Sequence, residues 1–148
     1  MTNAMQTTSL DRFIARFFEA FDNRNGRVPA RAQIAALFVE NAVILHNTGG
    51  ETVVMTVSEF AEPRVALLTS GRLQEFSEWE TASTTKMFSN FAVRTSEYSK
   101  SGVLDSIPYQ GRGTKLFQLA NMNGQWRIVS LCWYDSDDGT WRGLINQG

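Results

Sequence analysis

The sequence has little of the features that mark several special classes of protein. It contains a single cysteine, Cys132, so it can form no internal disulfide and no multi-cysteine metal site. No apolar run approaches the ~20 residues that a membrane-spanning helix needs. The 14 basic and 15 acidic residues nearly cancel, which provides no charged surface for nucleic acid or anionic lipid. We therefore expect neither a membrane nor a nucleic-acid partner.

The given residues also show neither the pattern of a targeting signal nor segments of low complexity. The first eight residues are polar and lack the basic-then-apolar order of a signal peptide, so we expect a cytoplasmic protein. Hydrophobic residues make up 43% of the 148 residues and charged residues 20%, which is typical of one globular domain. The expected organisation is a disordered tail over residues 1–8, a folded domain over 9–135 and an exposed tail over 136–148. Cys132 is interpreted as a small buried hydrophobic residue of the last strand.

The N-terminal half has the periodicity of helices. Ser9 can cap a first helix, whose apolar residues recur three and four positions apart on one face. Pro29 suits the first turn of a second, shorter helix that carries Ile34, Leu37 and Phe38. The apolar face of the first helix consists of Leu10, Phe13, Ile14, Phe17, Phe18 and Phe21.

A third helix is predicted where Thr56 and Glu59 match a capping box. It should end before Gly71, and Pro63 inside it predicts a kink or a restart. Ahead of this helix, the segments 43–45 and 52–55 are expected to pair as a short hairpin around a Gly-Gly turn.

From Leu73 onward the period changes to two, which is typical of strands. Two long strands are predicted before a polar loop over residues 99–110. A last hairpin follows, in which Asn123-Gly124 tolerates the positive φ of a tight turn. Helices first and antiparallel strands afterwards predict an α+β domain with the helices on one face of a curved sheet.

This order of elements resembles the nuclear-transport-factor-2-like superfamily, which includes SnoaL-like polyketide cyclases, ketosteroid isomerases and scytalone dehydratase. The strings 57–60 (Val-Ser-Glu-Phe) and 124–128 (Gly-Gln-Trp-Arg-Ile) support the resemblance. It implies a cone-shaped domain, with about three N-terminal helices packed on the concave face of a strongly curved, mostly antiparallel sheet. A ligand pocket at the open end of the cone is implied as well.

The chain is also similar to an uncharacterised bacterial group within that superfamily. Its shared motifs are Phe-x-Glu-x-Glu on the first long strand and Ser-x-Tyr on the next, here Phe76, Glu78 and Glu80, then Ser96 and Tyr98. That group has no assigned reaction. The tyrosine and two acids of ketosteroid isomerases match no local motif here, and the His–Asp pairs of some cyclases and dehydratases are not matched either.

Glu78 and Glu80 are the candidate catalytic residues. Strand alternation places both on the face that carries Phe76, and a carboxyl group in an apolar pocket can serve as a general acid or base. One alternative is that this face points to solvent or to a dimer partner, so that both glutamates are surface charges. Another is that Arg94, on the neighbouring strand, pairs with one of them as a structural tie.

Four further residues are candidate ligand-binding groups: Arg94, Tyr98, Gln118 and His46. Tyr98 can donate its hydroxyl to a ligand oxygen or to the backbone, and Gln118 can orient a ligand or bind another side chain. His46, the only histidine, is either a catalytic base or an exposed turn residue. No metal ligands and no cofactor are predicted, since no metal-binding or phosphate-binding motif is present.

The leading hypothesis is a small-molecule-binding protein whose ligand carries polar oxygen groups, and specifically a cofactor-independent isomerase, cyclase or dehydratase. The alternative is a non-catalytic dimeric binding or assembly module, with the cone filled by Phe13, Phe17, Phe21 and Phe60. A homodimer is expected under both hypotheses, because the outer sheet face would otherwise expose tryptophan and valine.

Overall fold

A six-stranded, mostly antiparallel sheet curls around three helices without closing into a barrel. The computed structural model describes residues 4–136. The helices are α1 (Ala4–Glu19), α2 (Arg31–Ala35) and α3 (Val57–Thr69), with a short 3-10 turn at Arg24–Gly26. The strands are β1 (Phe38–Thr48), β2 (Glu51–Met55), β3 (Leu73–Phe88), β4 (Phe91–Leu104), β5 (Ile107–Met122) and β6 (Gln125–Asp135).

The strands lie in the order β2-β1-β6-β5-β4-β3. Every neighbouring pair is antiparallel except β1 and β6, which run parallel and bring the first strand beside the last. This is the α+β cone that the sequence predicts. None of the described helices is long and apolar enough to cross a membrane.

Bulges give β3 and β6 their bends. The β3–β4 register shifts between Gln74 and Ser77, where Glu75 has a φ of 53°, and again between Glu80 and Ala82. A third shift separates Gln118 from Leu119 in the pairing of β5 with β6. Because each bulge adds a residue to one strand and increases its twist, the sheet curves around the helices.

Helix α1 fills the lower part of the cone with aromatic side chains. Phe17 meets Phe18, Phe21 and Phe117 edge to face, with ring centroids 5.2–5.3 Å apart. Such contacts add about 0.5–1.5 kcal/mol each to the hydrophobic burial. The apolar face that the spacing predicts for α1 is therefore confirmed as the centre of the core.

The prediction that residues 1–8 form a disordered tail is wrong for residues 4–8, because α1 begins at Ala4 and not at Ser9. No glycine or proline interrupts this segment, so the helix extends beyond the predicted cap. Residues 1–3, and residues 137–148 of the predicted C-terminal tail, lie outside the described part of the chain.

Three other elements also differ from expectation. Helix α2 ends at Ala35, and Phe38 starts β1 because it pairs with Ile128 of β6. Helix α3 is one continuous helix across Pro63. Pro63 and Glu59, whose carbonyl loses its helical donor, both lie on the exposed side, where water can replace the missing hydrogen bond.

The polar loop predicted at residues 99–110 is in fact the tip of a long hairpin. Strand β4 continues to Leu104, and Asp105 and Ser106 form the turn with φ values of 49° and 70°. Pro108 is tolerated because it lies where β5 pairs with β4 alone, beyond the stretch bonded to β6. Cys132 is only half-buried, since its neighbours Leu131 and Trp133 take the inner positions of β6.

A charged cluster ties α1 to the long strands. The Arg94 guanidinium binds both carboxylate oxygens of Glu80, at 2.6 and 3.1 Å, and Asp11 of α1 at 2.7 Å. Ser96 donates a further hydrogen bond of 2.5 Å to Glu80. Burial works against the charge of Arg94, but the hydrogen bonds to Glu80 and Asp11 raise its pKa above the ordinary value. We call Asp11, Glu80, Arg94 and Ser96 the helix clamp.

Replacing Arg94 with methionine should lower the free energy of unfolding by about 3 kcal/mol, because it leaves the Glu80 carboxylate largely buried without its cation. Urea unfolding followed by circular dichroism measures the loss. Arg72→Met is the matched control, since Arg72 binds Asp105 in a similar two-point geometry but at an exposed position. Its effect should be much smaller. Equal losses in the two variants would contradict a buried clamp.

Candidate functional site

A cavity opens inside the cone between helix α3 and the inner face of the sheet, with about 100 Å³ of space for the centres of water molecules. This space is large enough for several waters or a small organic molecule. Eight of its lining residues are apolar: Phe17, Phe21, Phe60, Leu67, Leu68, Leu73, Phe76 and Trp133. The other six are His46, Arg64, Glu78, Lys100, Lys115 and Asp135.

Asp135, the last residue of β6, organises the charged end of the cavity. Its carboxylate accepts a 2.5 Å hydrogen bond from the Tyr98 hydroxyl and lies 3.0 Å from the Lys100 ammonium. The side chain is only 2% exposed. Burial alone would raise the pKa of Asp135, but His46, Lys100 and the Tyr98 hydroxyl together hold it well below the usual range. Asp135 is therefore a fixed negative charge at neutral pH.

His46 lies against this carboxylate and is not the exposed turn residue of the alternative interpretation. It is 7% exposed, and its ring stacks on Trp133 with centroids 4.2 Å apart and planes inclined by 10°. The parallel register of β1 and β6 places these two residues side by side. His46 Nε2 lies 3.5 Å from Asp135 Oδ2 but has no hydrogen-bond partner among the described residues. A buried ring nitrogen beside the cavity can exchange a proton with a bound molecule.

Glu78 and Lys115 form a second charged pair in the cavity wall. Their side chains are 9% and 7% exposed, and Glu78 Oε1 lies 3.3 Å from Lys115 Nζ. The ammonium also lies 4.1 Å from the centre of the Tyr98 ring. Burial lowers the pKa of Lys115, while the Glu78 charge opposes that shift. The pair places a carboxylate and an amine within reach of the same bound molecule.

Arg64 reaches the cavity from helix α3. Its guanidinium carbon lies 4.5 Å from the centroid of Phe60 and 5.0 Å from that of Trp133. Nη1 donates a 3.0 Å hydrogen bond to the carbonyl of Phe60. Burial lowers the pKa of Arg64 to about 10, so the group remains cationic at neutral pH. Arg64 thus supplies a positive charge above two aromatic rings.

Gly113 makes the contact between Tyr98 and Asp135 possible. A Cβ at this position would lie 2.5 Å from the Tyr98 hydroxyl oxygen and would also collide with the carbonyl oxygen of Tyr134. Tyr98 can cross β5 to reach Asp135 because that side chain is absent. Burial, and then the charges of Asp135 and Glu78, raise the pKa of Tyr98, so the phenol stays a hydrogen-bond donor.

The sequence-predicted candidates divide into three places. Glu78 and His46 line the cavity, and Tyr98 lies behind it, with its hydroxyl on Asp135. Glu80 and Arg94 belong to the helix clamp, outside the cavity lining, in the structural pairing that was one of the alternatives. Gln118 lies on the outer face of the sheet, where Ser130 donates a 2.8 Å hydrogen bond to it, so it does not share the cavity with the others.

Four charged cavity residues were missed: Arg64, Lys100, Lys115 and Asp135. Two of them carried a signal in the sequence. Lys100 lies an even number of residues from Arg94 and Tyr98 and so shares their face of β4, but the sequence predicts a loop at residue 100. Lys115 lies two residues from Phe117 and shares its inner face of β5. The inner position of Asp135 depends on the bulge in β6, and helical periodicity alone did not identify Arg64.

Among residues 4–136, no group of three or more His, Cys, Asp and Glu side chains could hold a metal ion. The cavity instead combines a histidine, two carboxylates and three cations with an aromatic wall. Such a set can move protons and bind oxygen atoms of a ligand.

Comparison with solved structures gives the fold of the nuclear-transport-factor-2-like superfamily, as the sequence resemblance predicts. A protein of that superfamily from Salmonella enterica serovar Typhimurium has a TM-score of 0.70 and 16% identity, over 92% of this chain and 96% of that chain. A candidate scytalone dehydratase from Novosphingobium aromaticivorans has a TM-score of 0.71 and 13% identity, over 89% and 85%. A candidate Ca/calmodulin-dependent kinase II association domain from Exiguobacterium sibiricum has a TM-score of 0.70 and 11% identity, over 94% of this chain and 99% of that chain.

At these identities the likeness establishes the fold alone. No protein-family model matches the chain, and no curated protein matches it by sequence. The structural neighbours therefore define a class of domain, and the cavity residues carry any argument about function.

The charge on Asp135 should make stability depend on pH in the acid range. Its pKa is lower in the folded than in the unfolded chain, where a value of ~3.9 is usual. The stabilisation is therefore complete above pH ~4 and is lost as the pH falls toward the folded pKa. Urea unfolding of the wild type and of Asp135→Asn should differ most at pH 6–8 and converge below pH ~4. A difference that stays constant down to pH ~2 would contradict this role.

Proposed function

We propose that the protein binds a small, partly apolar molecule in the cavity and catalyses cofactor-independent proton transfer next to a carbonyl group, as an isomerase or a dehydratase does. The single observation that carries the proposal is the position of His46. Its Nε2 is buried at the cavity without a hydrogen-bond partner among the described residues, beside the fixed charge of Asp135. A candidate scytalone dehydratase is among the proteins that share this fold.

The proposed chemistry needs only side chains of this chain. Neutral His46 takes a proton from a carbon beside the carbonyl, and the electron pair of that C–H bond moves toward the carbonyl oxygen. The nearby carboxylate of Asp135 stabilises the imidazolium that forms. The negative charge that develops on the oxygen is stabilised by cations of the cavity wall. Return of the proton to another carbon completes an isomerisation, and loss of a protonated hydroxyl completes a dehydration.

His46 is better placed as the base than the glutamates that strand alternation suggests. Glu80 is bound within the helix clamp, and Glu78 faces the ammonium of Lys115. Glu78 then has a different role. It keeps the Lys115 amine in the cavity wall, and as a lining residue of the same cavity it is the proposed second proton carrier after the first transfer.

Proton exchange with solvent tests this proposal without knowledge of the natural substrate. Phenylacetone in D2O, followed by proton NMR, should lose its α-protons faster with the protein than with buffer alone. His46→Gln should lower the protein-dependent rate by about 100-fold or more, the usual contribution of a general base. Gln118→Ala, on the outer face of the sheet, should leave that rate unchanged.

Glu78→Gln tests whether the first base is His46, which lies beside Asp135, or Glu78, which lies beside Lys115. If His46 is the first base, this variant should retain measurable exchange, whereas a loss equal to that of His46→Gln would assign the first step to Glu78 instead. No exchange above buffer with the wild type, or equal rates for the wild type and His46→Gln, would overturn the proposed function.

A second candidate function, assembly through the outer sheet face, is favoured by the side chains exposed there. Trp79, Val93, Leu116 and Tyr134 lie exposed on β3, β4, β5 and β6. The candidate association domain among the structural neighbours has the same fold. We propose that this face forms a homodimer, which is compatible with catalysis inside the cone.

Sedimentation velocity at about 10 µM should therefore give a mass near twice the 16.6 kDa of the chain. Leu116→Asp should shift the protein to the monomer, because a charge at the centre of an apolar interface is costly to bury. Val54→Asp, on β2 at the edge of the sheet, is the matched control and should remain dimeric. A monomeric wild type would rule out the homodimer at this concentration.

A further inference from the structure

The described side chains of the cavity carry one more positive than negative charge when His46 is neutral. Lys100 lies 3.0 Å from the carboxylate of Asp135, and Lys115 lies 3.3 Å from that of Glu78. Arg64 lines the same cavity but forms no ion pair with a described residue. Among the described residues, Arg64 is therefore the cavity cation with no carboxylate in direct contact, although the charges of Glu78 and Asp135 also act on it.

The surroundings of Arg64 hold its guanidinium in a defined orientation. One nitrogen donates to the Phe60 carbonyl in its own helix, and the group lies over the rings of Phe60 and Trp133. A guanidinium has five N–H donors, and this is the one hydrogen bond that the described residues accept from it. The guanidinium belongs to the cavity lining, and burial disfavours its charge there unless a partner is present. A ligand oxyanion would compensate that charge.

We propose that the ligand of this cavity is a monocarboxylate with a flat apolar body, and that Arg64 binds its carboxylate. This inference rests on the proposed function, since it names the class of molecule bound at the same site. A carboxylate matches the fork of a guanidinium better than a single polar oxygen does. A single negative charge matches the one cavity cation that has no carboxylate in direct contact, and the apolar body fits beside Trp133, Phe60 and Phe76.

Binding of phenylacetate and of its uncharged analogue phenylacetamide tests the proposal. Both probes are titrated into the full-length protein at pH 7 and followed by NMR chemical shifts. Phenylacetate should bind at least about tenfold more tightly than phenylacetamide, as expected for a charge-assisted hydrogen bond. Arg64→Gln should remove this preference, and Arg64→Lys, which keeps the charge without the fork, should retain part of it.

Arg12→Gln is the matched control, because Arg12 is an exposed arginine of α1 outside the cavity lining. It should keep the preference of the wild type. Thermal unfolding of each variant shows whether it is folded, and Arg64→Lys serves as the test if Arg64→Gln does not fold.

Several outcomes would overturn the inference. They are equal binding of the two probes, no saturation by either up to about 10 mM, and a preference for phenylacetate that persists in Arg64→Gln. Proton exchange in phenylacetone with no preference for phenylacetate would leave the proposed function intact and overturn only the inference about Arg64. If the preference for phenylacetate is lost in Arg64→Gln but the wild type catalyses no proton exchange in phenylacetone, the proposed function is overturned and the inference about Arg64 stands.

Discussion

The carboxylate of Asp135 is the interaction on which the charged end of the cone depends. It receives the hydroxyl of Tyr98, lies against the ammonium of Lys100 and faces the ring of His46. These partners come from β4 and β1, so one buried charge joins three strands of the sheet. Without it, the buried ammonium of Lys100 would lose its counter-charge and the hydroxyl of Tyr98 its acceptor, which is expensive in a medium of low dielectric constant.

Two charged networks share the inner face of the sheet and have different roles. The helix clamp pairs Arg94 with Glu80 and Asp11, so its main charges and donors are used within the protein. In the cavity, by contrast, the Nε2 atom of His46 and most donors of Arg64 have no hydrogen-bond partner among the described residues. Groups that are satisfied internally stabilise the fold, whereas buried groups without an internal partner require another explanation, such as water or a bound molecule. This distinction separates the clamp from the site, although both contain carboxylates and an arginine.

The sequence predicts most of the fold and only part of the site, for physical reasons. Helix periodicity and the capping box at Thr56 are local signals, and both are confirmed. Long-range pairing is not local. Nothing near His46 in the sequence indicates that β1 runs parallel to β6 and stacks it on Trp133. The face on which a strand residue lies is also hard to predict, because a shift of one residue reverses it. Glu78 and Glu80 lie on the inner face as predicted, whereas Gln118 of β5 lies on the outer face.

The phenylalanines that the alternative hypothesis assigns to a filled cone also explain the character of the cavity. Phe13 lies in the core, and Phe17, Phe21 and Phe60 form the wall of the cavity rather than its contents. Their rings exclude water from one side of the charged groups, which strengthens every electrostatic interaction there. The same rings lower the effective solvation of Arg64 and Lys115, whose pKa values fall as a result. These aromatic residues therefore strengthen the electrostatic interactions of the charged residues beside them. A cation on an apolar wall attracts an anion far more strongly than a cation in water does.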